Sequence, residues 1–246
     1  MLIKGLKRWK AIKFAKHYTY KDVDADILFN VIKDIDNYKY FVPLCSDSKI
    51  LNKVSEYEFD AMLEINYRIF VDSYISKVMC EKNIDDKIRY KIISKSIDES
   101  IFEYLNSSWY FWNDGLNLEI DYEIAFKFRD RFYDTITNSL KGIIANTTMR
   151  GMIKEARKRQ VIINEEIKKK TREENYKVDW ILNILKANRL HDLENDVNKL
   201  LKNQNFKAKL YNIANFYDDK HEILESQDAF IDLIKELCFQ YRSPKF

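Results

Sequence analysis

Glycine is scarce in this 246-residue chain, occurring only at Gly5, Gly115, Gly142 and Gly151. That excludes a G-x-G-x-x-G dinucleotide turn and a G-x-x-x-x-G-K-[ST] phosphate loop, which both need glycines close together so that backbone can approach phosphate. The cysteines, Cys45, Cys80 and Cys238, are odd in number and never in C-x-x-C spacing. A disulfide framework is thereby excluded, and structural zinc or a dithiol redox pair is disfavoured. His17, His191 and His221 are too scattered for an H-E-x-x-H site, and no G-x-S-x-G elbow is present. No metal is expected and no catalytic residue is nominated. With 42 basic against 39 acidic side chains, the formal charge of +3 is too small a field to compel binding to nucleic acid. Uninterrupted apolar runs of about 18 residues, which would cross a bilayer, are also lacking.

The chain is 46% hydrophobic and 33% charged, a composition suited to one globular domain with an appendage. Its first sixteen residues carry Lys4, Lys7, Arg8, Lys10, Lys13 and Lys16 without an acid, while Leu2, Ile3, Leu6, Trp9 and Ile12 share a helical stripe. They read equally as a mitochondrial targeting segment, expected to be retained, or as a basic arm that docks on a partner or an anionic surface.

Lys16 to Asp22 is polar and aromatic enough for a first strand. Asp24 is placed to cap a helix over about Ala25 to Asp34, whose apolar residues Ile27, Leu28, Val31, Ile32 and Ile35 share one face. Tyr38 to Leu44 is a dense aromatic patch that Pro43 ends, a bend packed against the core. From Glu58 the pattern has period two: Phe59, Ala61, Leu63, Ile65, Tyr67 and Ile69 alternate with mostly polar neighbours. The same texture returns over Tyr74–Glu81, Lys87–Ser94, Phe102–Trp112 and Leu116–Phe128, with breaks at Asn83–Asp86 and Asn113–Gly115. Five or six consecutive antiparallel strands are predicted. Phe132, Ile136, Leu140, Ile143 and Ile144 then recur at helical spacing and open a long helix over about Arg131 to Arg172. Its charged run Lys154–Glu174 is a solvated face or a partner contact. Apolar-striped segments within Val178–Tyr241 read as helices expected to pack on the first domain or on another protein. The chain thus divides into a basic arm (1–16), an α+β domain (17–174) and an all-α extension (175–246).

Two constellations carry little. The aromatic run Ser107–Trp112 lacks the flanking basic stripe of a base-stacking surface and reads as a core strand. The acids Asp22, Asp24, Asp26, Asp34 and Asp36 straddle the first helix, and one is needed as its cap, so they read as a solvated rim.

The segments Val31–Ser48, Ala61–Val78 with its Tyr74-Ile75-Ser76-Lys77-Val78, and Phe102–Phe111 resemble the coenzyme Q-binding START-domain family, related to the polyketide cyclase and lipid-transport group. The Tyr-x-x-Phe-Val-Pro-x-Cys-x-x-Ser run at Tyr38–Ser48 is the most specific part. The likeness covers His17 to Arg159, about three fifths of the chain, and leaves the helices after Glu174 without a counterpart. It implies a helix-grip fold, an antiparallel sheet wrapped around a long C-terminal helix with an apolar cavity between them. It also implies non-enzymatic binding of a hydrophobic lipid, first of all ubiquinone, in support of mitochondrial respiratory electron transport at the matrix side of the inner membrane. A polyprenyl tail costs roughly 25 cal/mol per Å² to expose, so its escort needs an apolar sleeve. The expected lining is Leu63, Ile65, Trp109, Phe111, Ile124 and Phe126 from the sheet, with Phe41, Pro43, Ile136, Leu140 and Ile144 from the helical segments, although core packing accounts for each one singly. Two positions depart from the family pattern: Leu44 stands where an aromatic is usual and Asn66 where glycine is usual. Both are expected to reshape the cavity.

The basic arm, the charged helix and the C-terminal helices carry an alternative. There the chain is a structural accessory subunit of a large mitochondrial assembly, a respiratory complex or less readily the ribosome, and reuses the domain for docking. Partners are accordingly an isoprenoid quinone or lipid, such an assembly, and the membrane surface by peripheral contact. Kinship with cyclases alone supplies no activity, since no general base with a partner stands out.

Overall fold

The first strand pairs with the last, which sets the sheet's topology. In a computed structural model, residues 12–67, 70–98, 101–129, 134–218 and 227–242 are described; for 67, 70, 134–144, 218 and 227 only the backbone is considered. Most of the basic arm, as well as Ile69 and Phe132, lie outside these residues. The strands are β1 (Ile12–Lys21), β2 (Cys45–Lys53), β3 (Glu58–Tyr67), β4 (Phe70–Lys82), β5 (Tyr90–Ser96), β6 (Phe102–Asp114) and β7 (Asn117–Phe128). They form one antiparallel sheet in the order β1-β7-β6-β5-β4-β3-β2. From β2 to β7 each strand pairs with its sequence neighbour, as the period-two runs and turn residues require. The β6–β7 turn uses Gly115 at φ +59, the left-handed conformation that glycine adopts without a Cβ penalty.

Between β1 and β2 the chain crosses the sheet through helix α1 (Ala25–Lys33), a 3-10 turn (Ile35–Asn37) and the short helix α2 (Tyr38–Phe41). Asp24 caps α1 as expected, its carboxylate accepting from Asp26 N–H at 2.7 Å. The Asn113 side chain pins this end to the sheet, its amide donating to Val23 O at 3.0 Å while its Oδ1 accepts from Ala25 N–H at 2.8 Å. Strand β2 is an addition to the sequence expectation. Cys45-Ser46-Asp47-Ser48-Lys49 has no apolar alternation, and register shifts at Cys45/Asp47 and Ile50/Asn52 interrupt its pairing with β3.

Helix α3 (Asp134–Ala187) starts close to the predicted residue but runs on past Arg172. With α1 it covers the inner face of the sheet. Ala145, Met149, Met152, Ile153 and Ala156 are buried in one cluster with Phe29, Tyr90, Trp109 and Phe111. Gly151 sits where α3 meets α2: a Cβ there would lie 2.3 Å from Phe41 O and 2.8 Å from Pro43 Cδ. Only glycine lets the helix come so near. Arg159 ties the same helix to α1, its guanidinium lying 2.5 Å from Asp34 and 2.9 Å from Glu155.

The chain separates into two compact units, Met1–Ile162 and Ile163–Phe246, and the division falls within α3, as does the boundary read from the sequence at 174/175. In the second unit, α4 (His191–Leu200), α5 (Gln204–Asp218), α6 (Gln227–Arg242) and the end of α3 share a core of their own. Phe230 is its hub, with Tyr217 and Trp180 rings 4.9 and 5.5 Å away. Along residues 161–173 every α3 side chain is exposed. No described helix is long and apolar enough to cross a membrane.

Candidate functional site

Cross-strand register arranges the inner face in rows. One row reads Lys16, Tyr122, Trp109, Ile92 and Cys80. The next reads Phe14, Ile124, Ser107, Ser94, Val78 and Phe59. In the row beyond, Phe126 and Leu105 are followed by Ser96, Ser76 and Ala61, with Ser96 Oγ accepting from Leu105 N–H at 2.9 Å. Four serines therefore occupy neighbouring inward positions on β4, β5 and β6. They lie between the main apolar cluster under α1 and α3 and a second cluster made by Ile101, Phe102, Leu105, Phe126 and Phe128. Ser94, Ser96 and Ser107 are half-buried, whereas Ser76 is 0% exposed. Among the described residues, Ser76 Oγ has no hydrogen-bond partner. Such a hydroxyl costs about 1–3 kcal/mol to bury unpaired. Asp98, two residues past Ser96 and near Tyr74, also has a buried oxygen, Oδ1, without a hydrogen-bond partner among the described residues.

One inward pair along β3 and β4 from Ala61 and Ser76, Leu63 and Tyr74 help line a cavity of about 110 Å³ whose walls also include Pro43, Leu44, Ile65 and Thr148 but none of the four serines. Its size is that of a small ring. The segment Val42–Cys45 separates it from an open groove of about 900 Å³, lined on the other side by Arg150, Gly151, Lys154 and Lys158. Burial pushes the Cys45 thiol up to about 11 and the Tyr74 phenol further still, so both groups facing the cavity are neutral at physiological pH. Among the described residues no group of three or more His, Cys, Asp or Glu side chains is placed to hold a metal.

The expected lining residues are distributed over several places. Pro43, Leu63 and Ile65 line the cavity, and Phe41 lines the groove, its ring 5.8 Å from Arg159. Phe111 is wholly buried under α1, stacked on Tyr90 at 5.3 Å with Phe29 at 6.5 Å. Trp109 packs on Tyr122 at 4.3 Å, Phe126 belongs to the second cluster, and Ile124 bridges the two. Ile136, Leu140 and Ile144 fall on α3, but their side chains lie outside those described. Asn66 is exposed, and its backbone N–H donates to Leu44 O at 2.8 Å, so its side chain does not enter the cavity. Leu44 takes a left-handed φ of +71 and contributes to cavity and groove alike. The serines were absent from the expected lining. The period-two rule that places Trp109 inward also places Ser107 inward, and small hydroxyls in apolar slots were the available signal.

A sequence profile described as polyketide cyclase / dehydrase and lipid transport matches residues 22–152, more than half the chain. The mitochondrial coenzyme Q-binding protein coq10 of Schizosaccharomyces pombe is 22% identical over 155 residues, covering 62% of this chain and 90% of that protein. The ribosome association toxin RatA of Rickettsia prowazekii is 30% identical over 112 residues, covering 46% of this chain and 74% of that protein. Among solved structures, the Zhui aromatase/cyclase of a Streptomyces species superposes with a TM-score of 0.52 at 12% identity over 61% of this chain and 96% of its own, a likeness of fold alone. By its matched segment and its helix-grip architecture, the chain belongs to the polyketide cyclase/dehydrase and lipid-transport family.

Proposed function

We propose that the first unit binds an isoprenoid quinone, ubiquinone, between the inner face of its sheet and α3, and that it does so without chemistry. The observation that carries this is the inner face itself, where apolar clusters flank unsatisfied hydroxyl and carboxyl oxygens and where Leu63, Ile65 and Tyr74 help line a ring-sized cavity. Such a surface suits a ligand with a long apolar tail and a small polar ring. The S. pombe relative, named for coenzyme Q binding and for mitochondria, supports the same ligand and compartment. Binding at the matrix side of the inner membrane in support of respiratory electron transport follows as the physiological setting. Peripheral contact would bring the mouth lined by Lys154 and Lys158 to anionic lipid.

The test is a titration of the purified full chain with short-tailed ubiquinone, followed by tryptophan quenching, with recovery of the ligand for analysis. The wild type is expected to bind and to return ubiquinone unchanged. Leu63→Asp, which sets a charge in the cavity wall, is expected to bind at least tenfold more weakly. Absence of binding by the wild type, or a chemically altered quinone, overturns the proposal.

A second reading, a docking module of a large assembly, is favoured by the RatA likeness and by the separate C-terminal core. Co-migration with respiratory or ribosomal subunits in native gels, without quinone, distinguishes it.

A further inference from the structure

We infer that Ser76, Ser94, Ser96 and Ser107 form the seat of the ligand's oxygenated ring, and that Asp98 makes this seat favour the reduced, dihydroxy form. The inference rests on the quinone-binding function proposed above and deepens it by naming the residues that read the head group and its redox state.

The register puts the four serines in one contiguous patch, Ser107 opposite Ser94 and Ser96 opposite Ser76. The neighbours of the serines along those two rows are apolar, from Phe14 and Ile124 to Val78, Phe59 and Ala61. Hydroxyls are out of place there unless something polar meets them. Backbone pairing uses none of these side-chain groups, and among the described residues Ser96 Oγ alone of the four accepts a hydrogen bond, from Leu105 N–H. Ser76 is decisive: it is 0% exposed and its Oγ is unpartnered among the described residues. A hydroxyl both donates and accepts, so the serines accommodate ring carbonyls and ring hydroxyls alike. Asp98 does not share that tolerance. Its buried Oδ1 is also unpartnered, and a carboxylate oxygen accepts without donating. A ring hydroxyl satisfies it, whereas a ring carbonyl sets two acceptors against each other. Ile97 N–H donates to Ile75 O at 2.9 Å, so β4 pairing continues beyond Ser96 and holds Asp98 beside Tyr74 on this face. The tail then has the two apolar clusters on either side of the patch.

The experiment compares three probes on the full chain under anaerobic conditions: short-tailed ubiquinone, the corresponding ubiquinol, and farnesene, an isoprenoid without a head group. The wild type is expected to bind ubiquinol more tightly than ubiquinone. Ser76→Ala is expected to lose about fivefold for both ring-bearing probes, the effect of one hydrogen bond, with farnesene unchanged. Asp98→Asn, whose amide also donates, is expected to abolish or reverse the preference for ubiquinol. Thermal unfolding of each unliganded variant controls for folding, and Ser76→Ala should be no less stable than the wild type because it removes an unpaired buried hydroxyl. Equal affinities of the wild type and Ser76→Ala for ubiquinone overturn the serine seat. An unchanged ubiquinol preference in Asp98→Asn overturns the role of Asp98. Failure of all three probes to bind the wild type refutes the quinone-binding function itself, and is told apart because it needs no variant.

Discussion

Replacing Gly151 by alanine sets two effects against each other inside α3. In an exposed helix the change stabilises by about 1 kcal/mol through lower backbone entropy in the unfolded chain. Here the new methyl would meet Phe41 O at 2.3 Å and Pro43 Cδ at 2.8 Å, where ordinary contact begins at 3.4 Å. The nearest atom belongs to backbone and cannot rotate away. Helix and loop must therefore separate by about 1 Å, the difference between 2.3 and 3.4 Å. Overpacking of this kind costs about 1–3 kcal/mol, and the buried side chains of Met149, Met152 and Ile153 would lose contact with the sheet as well. The net effect is a loss of about 1–2 kcal/mol, or a fall in Tm of about 2–8 °C for a chain of this size. Differential scanning calorimetry of the wild type and Gly151→Ala measures it. A rise in Tm would refute the reasoning, since helix propensity would then outweigh a contact that is not as close as described.

Three further outcomes follow from the same structure. Asp24→Ala removes the α1 cap and should cost about 1 kcal/mol in chemical unfolding, while Asp24→Asn, which keeps an accepting oxygen, should cost much less; equal losses would contradict capping. His17 is raised above 6.5 chiefly by its hydrogen bond to Asp121, at 2.7 Å, so its stabilising contribution is complete below pH 6.5 and is lost as pH rises through the folded value. NMR titration should show Asp121→Asn lowering the His17 value, and no change would refute the pairing. The thiols of Cys45, Cys80 and Cys238 are pushed up to about 11 by burial, so alkylation by iodoacetamide at pH 8 should be about a hundredfold slower in the native protein than in urea; comparable rates would contradict their burial.

Much of this fold is legible in the sequence because the inner face obeys a two-residue period. Phe59, Ala61, Leu63 and Ile65 announce β3, and the apolar stripe after Phe128 announces α3. Strand β2 was hidden because two register shifts and a polar run erase its period. The second unit was legible as helices but not as a core, since an apolar stripe names a buried face without naming what covers it. The candidate site was harder still. Phe111 and Phe126 have the right inward parity, yet Phe29 from α1 covers the first and Phe102 the second, long-range pairings that no local pattern encodes. Counting apolar residues as lining also leaves out Ser76 and its neighbours, the seat proposed above. Their clustering depends on the register of three strands and on a buried hydroxyl without a partner among the described residues, neither of which a local pattern encodes. Gly151 carried a hint, since an isolated glycine within a helical pattern commonly marks close packing.

The most direct measurement on the central claim is the lipid content of the full chain purified under mild detergent from cells that make ubiquinone, with organic extracts quantified by mass spectrometry against protein. Binding between sheet and α3 predicts ubiquinone in near-equal molar amount, falling sharply in Leu63→Asp purified alongside. Quinone at trace level in both, or equal retention by both, would contradict a quinone seat on the inner face of this sheet.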